Sequence, residues 1–161
     1  IYTVPGQIRH ITQRELVATG AQGIIILLDS TKTQYDANKH ALKELAEFIE
    51  KFNLKDIPFA ICLNKMDLPP EERISSRELS ELLVETGWSE RMRDAFSRII
   101  EMSCLDAKND LIKLLRLDDI SKLKDEKGHL KKEARPESVK RVIIPIEMVL
   151  REVLTRKLAT M

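Results

Sequence analysis

The chain has 161 residues, of which 43% are hydrophobic and 33% charged, enough for one domain with a sizeable core. Its 27 Lys and Arg nearly balance 26 Asp and Glu, which argues against a dedicated nucleic-acid surface. No apolar run approaches the ~20 residues of a membrane span, and the two cysteines, Cys62 and Cys104, are too few for a disulfide framework and lack metal-ligand spacing.

These features predict a soluble, cytoplasmic protein from a reducing compartment. The opening "IYTV" reads as the tail of a strand. "GIIILLDS" (residues 23–30) is a continuous apolar, β-branched run, the pattern of a parallel strand covered by helices on both faces. Residues 34–52 place Ala37, Ala41, Leu42, Leu45, Phe48, Ile49 and Phe52 on one helical stripe. "IPFAICLN" (57–64) repeats the buried-strand pattern, with Pro58 tolerable only near its start. "SSRELSELLVETG" opens with Ser75 and Glu78 at capping-box spacing and stops at Gly87. "RIIEMS" (98–103) is a weaker strand. The alternation of strand and helix predicts an α/β domain with parallel strands and right-handed crossovers.

Further on, "DAKNDLIKLLRL" (106–117) can form a short helix. The basic-leaning run 122–132 reads as a solvated, mobile loop. Residues 138–158 carry Val139, Val142, Ile143, Ile146, Val149, Leu150 and Val153 on one helical face, with Pro145 inside the pattern. Either Pro145 kinks one long helix, or it begins a helix after an extended "VKRVII". The unbroken stripe favours the kinked helix.

The run "FAICLNKMDLPP" ends a buried strand in Asn64, Lys65 and Asp67. In open parallel sheets, ligands bind at the carboxyl ends of the strands. A carboxylate can accept both N1–H and the 2-amino group of guanine, and it faces a lone pair on adenine instead. The Lys65 stem can lie along the base. Asn64 can tie neighbouring loops together or reach the purine N7. The plainer alternative is a polar turn leaving a strand. Asp29 and Ser30 also end a strand, as a phosphoacceptor or magnesium aspartate does, but a structural role is the simpler reading there.

With "TVPGQ" (3–7) after one possible strand and "EMSCL" (101–105) after another, the chain resembles the back two-thirds of a small Ras/Arf-superfamily GTPase. "TVPGQ" resembles the switch II motif D-x-x-G-Q, "NKMD" matches N-K-x-D, and "SCL" resembles the S-A-K base loop. "YTVPGQ" is most similar to the bacterial and archaeal MglA-type GTPases of cell polarity and gliding, which are Arf-like. The resemblance implies a P-loop NTPase fold, a three-layer sandwich with a mostly parallel sheet, incomplete at its N-terminus. Residues 1–161 would form a partial domain from switch II to the C-terminal helix, with an insertion at about 106–136; the alternative makes 106–117 the final helix and the rest an extension.

The same resemblance implies a GTP-hydrolysing switch that binds GTP or GDP with Mg²⁺ in the complete protein. Gly6 would offer its N–H to the γ-phosphate, and Gln7 would be the catalytic residue orienting the attacking water. Asn64, Lys65 and Asp67 would hold guanine. Ser103 would brace that loop, and N–H groups near Cys104 and Leu105 would reach the guanine O6. Thr3 stands where the family has a magnesium-linked Asp, and Leu105 where it has Lys. Regulatory or effector proteins would read residues 5–14. No G-x-x-x-x-G-K-[ST] phosphate loop occurs in the 161 residues, so the phosphate-binding half is expected to precede Ile1. The competing class is a pseudo-GTPase, an interaction or scaffolding module without hydrolysis. A receiver domain phosphorylated on Asp29 lacks its acidic cluster and its lysine.

Overall fold

The computed structural model describes residues 20–91, 99–117 and 119–159. The expected strand "IYTV" and the positions Thr3, Gly6 and Gln7 lie outside the described residues. Strands β1 (Ile24–Asp29), β2 (Phe59–Asn64) and β3 (Ile99–Glu101) form one parallel sheet in the order β1-β2-β3. Ile24 pairs with Phe59 and Asp29 with Asn64, while Leu63 pairs with Glu101, so the carboxyl ends of the strands finish together.

Helices fill the crossovers that parallel pairing requires. Helix α1 (Tyr35–Lys51) joins β1 to β2, and α2 (Ser76–Glu85) and the short α3 (Trp88–Arg91) follow β2. Alternate strand residues Ile26, Leu28, Ile61 and Leu63 pack with Leu42 and Ile49 of α1, Leu79, Leu82 and Leu83 of α2, and Trp88. That cluster is the main core. Trp88 is fully buried, and its indole N–H donates to the Leu42 carbonyl at 2.9 Å, which removes the cost of burying an unpaired donor.

The start of α2 follows its local code. The Ser75 side chain accepts from the Glu78 N–H, and the Glu78 carboxylate accepts from the Ser75 N–H. Gly87 closes the segment with φ of 72°, a left-handed conformation that glycine adopts without penalty.

Helix α4 (Cys104–Leu115) leaves β3 directly, and α5 (Glu137–Ala159) packs on α4 and on the opposite face of all three strands. The molecule is therefore an α/β sandwich of three layers, as the P-loop GTPase fold requires. Helix α5 runs continuously through Pro145, which is buried, so the one-helix reading of residues 138–158 holds. A Ser138 hydroxyl bond to Asp110 at 2.8 Å fastens α5 to α4.

Four local expectations are corrected. Ile25 and Leu27 stand 41% and 57% exposed, so the described residues do not cover β1 on both faces. Among the described residues, α5 meets β1 at its start, beside Gly23. The α1 stripe holds from Ala41 to Phe52, but at its start Ala37 is exposed and Asn38 is buried instead. Leu150, expected on the inner face of α5, is 49% exposed. The 122–132 run is largely exposed, as expected, but it contains a tied turn: Lys124 and Leu130 form an antiparallel bridge, and Asp125 accepts from the N–H groups of Lys127 and His129.

At Gly23, just before β1, α5 lies directly against the main chain. A β-carbon there would collide with Val149 and press on Val153 at 3.3 Å. Gly23→Ala is expected to lower unfolding free energy by about 1–3 kcal/mol in urea denaturation, the usual range for overpacking. Gly20→Ala, which meets no atom within 4 Å, should stay within ~0.5 kcal/mol of the parent. Equal effects would contradict the packing of α5 on β1.

Candidate functional site

The sequence-predicted residues Asn64, Lys65, Asp67, Ser103 and Cys104 meet at the carboxyl ends of β2 and β3. Three bonds stitch the two loops. The Cys104 N–H donates to Asn64 Oδ1 at 3.0 Å, the Ser103 hydroxyl donates to Asp67 Oδ1 at 2.6 Å, and the Met66 N–H donates to the Met102 carbonyl at 3.2 Å. Ser103 is buried and also caps α4, its oxygen accepting from the Asp106 N–H at 2.9 Å. Asp67 is exposed. Its Oδ2, and the second lone pair of Oδ1, remain to accept two parallel donors.

Leu105 lies beside them on the first turn of α4, 53% exposed. The Cys104 N–H is already taken by Asn64. Among the described residues the Leu105 N–H has no protein acceptor, as first-turn donors of a helix commonly lack one. That end of the site thus offers a donor for a carbonyl, next to a carboxylate for two N–H groups.

Lys65 occupies the left-handed region, with φ of 67°, which costs a non-glycine residue ~1–2 kcal/mol. The fully buried Ser30 compensates by donating its hydroxyl to the Lys65 carbonyl at 3.1 Å. The Lys65 ammonium lies 2.6 Å from Asp29 Oδ2. Asp29 is fixed in turn: Oδ1 accepts from the Thr31 hydroxyl at 2.6 Å and N–H at 3.0 Å, and its main chain exchanges two bonds with buried Asn38. The partnerships of Asp29, Ser30 and Asn38 were not read from sequence. Asn38 carried a signal, because it shares the spacing of Leu42 and Ile49.

Cys62, on the sheet face turned towards α5, is buried. Burial, aided by the nearby Cys104 charge, pushes its thiol up to about 11, which leaves it inert in the core. Among the described residues no group of three or more His, Cys, Asp or Glu could hold a metal ion, and no helix is long and apolar enough to cross a membrane.

No family model matches the chain. The mutual gliding-motility protein MglA of Myxococcus xanthus (strain DK1622) is 35% identical to it over 71 residues. The match covers 43% of this chain and 36% of that protein, so the chain spans about a third of the length of the curated relative it matches. This partial similarity and the α/β sandwich support a relationship to the small GTPases.

Partial burial pushes the Asp29 carboxyl up, but hydrogen bonds from Lys65 and Thr31 together with the lysine charge outweigh it, and its pKa falls below the ordinary 3.8. A carboxylate depressed by folding stabilises fully above its unfolded pKa, and that contribution is lost as pH falls through the folded pKa. Asp29→Asn keeps an acceptor for Thr31 and removes the charge. It should reduce stability at pH 7 by less than ~1 kcal/mol, since the Lys65 side chain is half-exposed. It should also flatten the acid-side decline that begins near pH 3.8 in pH-dependent urea melts.

Proposed function

We propose that the chain is part of a GTP-binding molecular switch of the small-GTPase type, and that the stitched loops form its guanine site. The observation that supports this most directly is the arrangement of Asp67 and the Leu105 N–H. A carboxylate with free lone pairs stands beside a free donor, on two loops held by Ser103 and Asn64. Guanine matches that pattern, with N1–H and the 2-amino group for Asp67 and O6 for the Leu105 N–H. Adenine inverts it. Lys65 lies between its aspartate anchor and the base position, where its stem can line the ring.

In this reading Gly6 and Gln7 serve the γ-phosphate and the attacking water, with residues 5–14 meeting regulators or effectors. The phosphate cradle and the Mg²⁺ ligands would come from chain outside these 161 residues, and segment 106–136 would be an insertion before the final helix α5. The activity then belongs to the complete protein, and this portion alone is expected to bind nucleotide weakly or not at all. Thr3 and Leu105, which stand where the family has Asp and Lys, favour a second reading, a non-hydrolysing interaction module. GTP turnover by the complete protein separates the two.

Asp67 variants of the complete protein test the guanine site. Asp67→Ala removes two charge-assisted hydrogen bonds worth roughly 1.5–3 kcal/mol each and should weaken GDP binding at least ~100-fold. In Asp67→Asn, Ser103 holds the amide oxygen, which turns the NH₂ outward, where it suits the O2 of xanthine. Calorimetry should show preference moving from GDP to xanthosine diphosphate. Unchanged GDP affinity in both variants would overturn the guanine-site reading.

A further inference from the structure

The loop that carries Asp67 is held from a side that the guanine reading does not use. Pro69, Pro70 and the 3-10 turn Pro70–Glu72 bring the chain back so that Arg73 lies against Met66. One guanidinium nitrogen of Arg73 donates to the Met66 carbonyl at 3.0 Å and lies 3.6 Å from the Met66 sulfur. Its main chain is anchored too. Arg73 and Thr31 form an antiparallel bridge, and the Ile74 N–H donates to the Ser30 carbonyl at 2.7 Å. Among the described residues, Arg73 forms no ion pair with its acidic neighbours Glu71 and Glu72 or with any other carboxylate.

A guanidinium spent on a main-chain carbonyl has a local effect. The peptide whose oxygen it holds is the one that joins Met66 to Asp67. Ser30 holds the preceding carbonyl, that of Lys65, at 3.1 Å. Two consecutive carbonyls are thus pinned by side chains that come from outside the loop. Holding both peptide planes limits the directions in which Asp67 can leave the chain, and the Ser103 hydroxyl then holds its carboxylate.

We infer that Arg73 is a positioning residue for guanine specificity, holding the Met66–Asp67 peptide so that the Asp67 carboxylate meets the 2-amino group and N1–H together. This inference rests on the guanine-site reading. Arg73 itself touches no base. Its loss frees the carboxylate to swing, which weakens a two-point contact more than a one-point contact.

Inosine diphosphate supplies the comparison, because hypoxanthine keeps N1–H and lacks the 2-amino group. GDP and IDP affinities are to be measured on the complete protein and on its Arg73→Met and Arg73→Lys variants, with thermal midpoints alongside. The parent should prefer GDP. Arg73→Met, which keeps an apolar stem, should lose about tenfold in GDP affinity and clearly less in IDP affinity, so that the preference narrows. Arg73→Lys, which keeps a donor within reach of the carbonyl, should recover most of it. A GDP-to-IDP ratio that does not move, equal losses for both nucleotides, or a lysine variant no better than methionine would each overturn the inference. A parent protein that binds neither nucleotide would instead remove the guanine reading, and this inference with it.

Discussion

The hydrogen bond from Ser103 to Asp67 is the constraint on which the site depends. It crosses 36 residues of sequence and is one of three bonds that make the loops after β2 and β3 a single surface. Without it, Asp67 is a solvated carboxylate on a turn. With it, one lone pair of Oδ1 is committed to the protein, and the exposed carboxylate keeps its other lone pairs. The serine does this while capping α4, so the helix and the loop of Asp67 share one hydroxyl.

The sheet makes that bond possible. Parallel strands in register bring Asp29, Asn64 and Glu101 to one edge, so residues that follow them in the chain meet in space. The strained backbone of Lys65 belongs to the same economy. A left-handed residue turns the chain sharply as it leaves β2, and Ser30, Asp29 and Arg73 hold the turn from the side of β1. The half-exposed ion pair contributes little stability by itself. Its effect is geometric, since it keeps the lysine stem extended beside the loop rather than loose in water.

Much of this was legible in the sequence because the signals were local. The apolar runs around Ile26 and Ile61, the Ser75–Glu78 capping box, and the unbroken stripe through Pro145 each specify an element from neighbours within a few residues. The N-K-x-D and S-C-L residues were found because their chemistry stands out after buried strands. What remained hidden depends on distant partners. Nothing local to Arg73 says that its guanidinium reaches Met66, and nothing local to Asp29 says that Lys65 will cover it. The exposure of Ile25 and Leu27 likewise depends on where α5 lies, which strand composition cannot express.

The central claim is that these loops recognise guanine. Titrating the complete protein with GDP and with ADP in a calorimeter tests it most directly. The account predicts that GDP binds and that ADP binds at least ~100-fold more weakly, because adenine offers Asp67 a lone pair where guanine offers a donor. Equal affinity for the two nucleotides, or binding of neither, would contradict it.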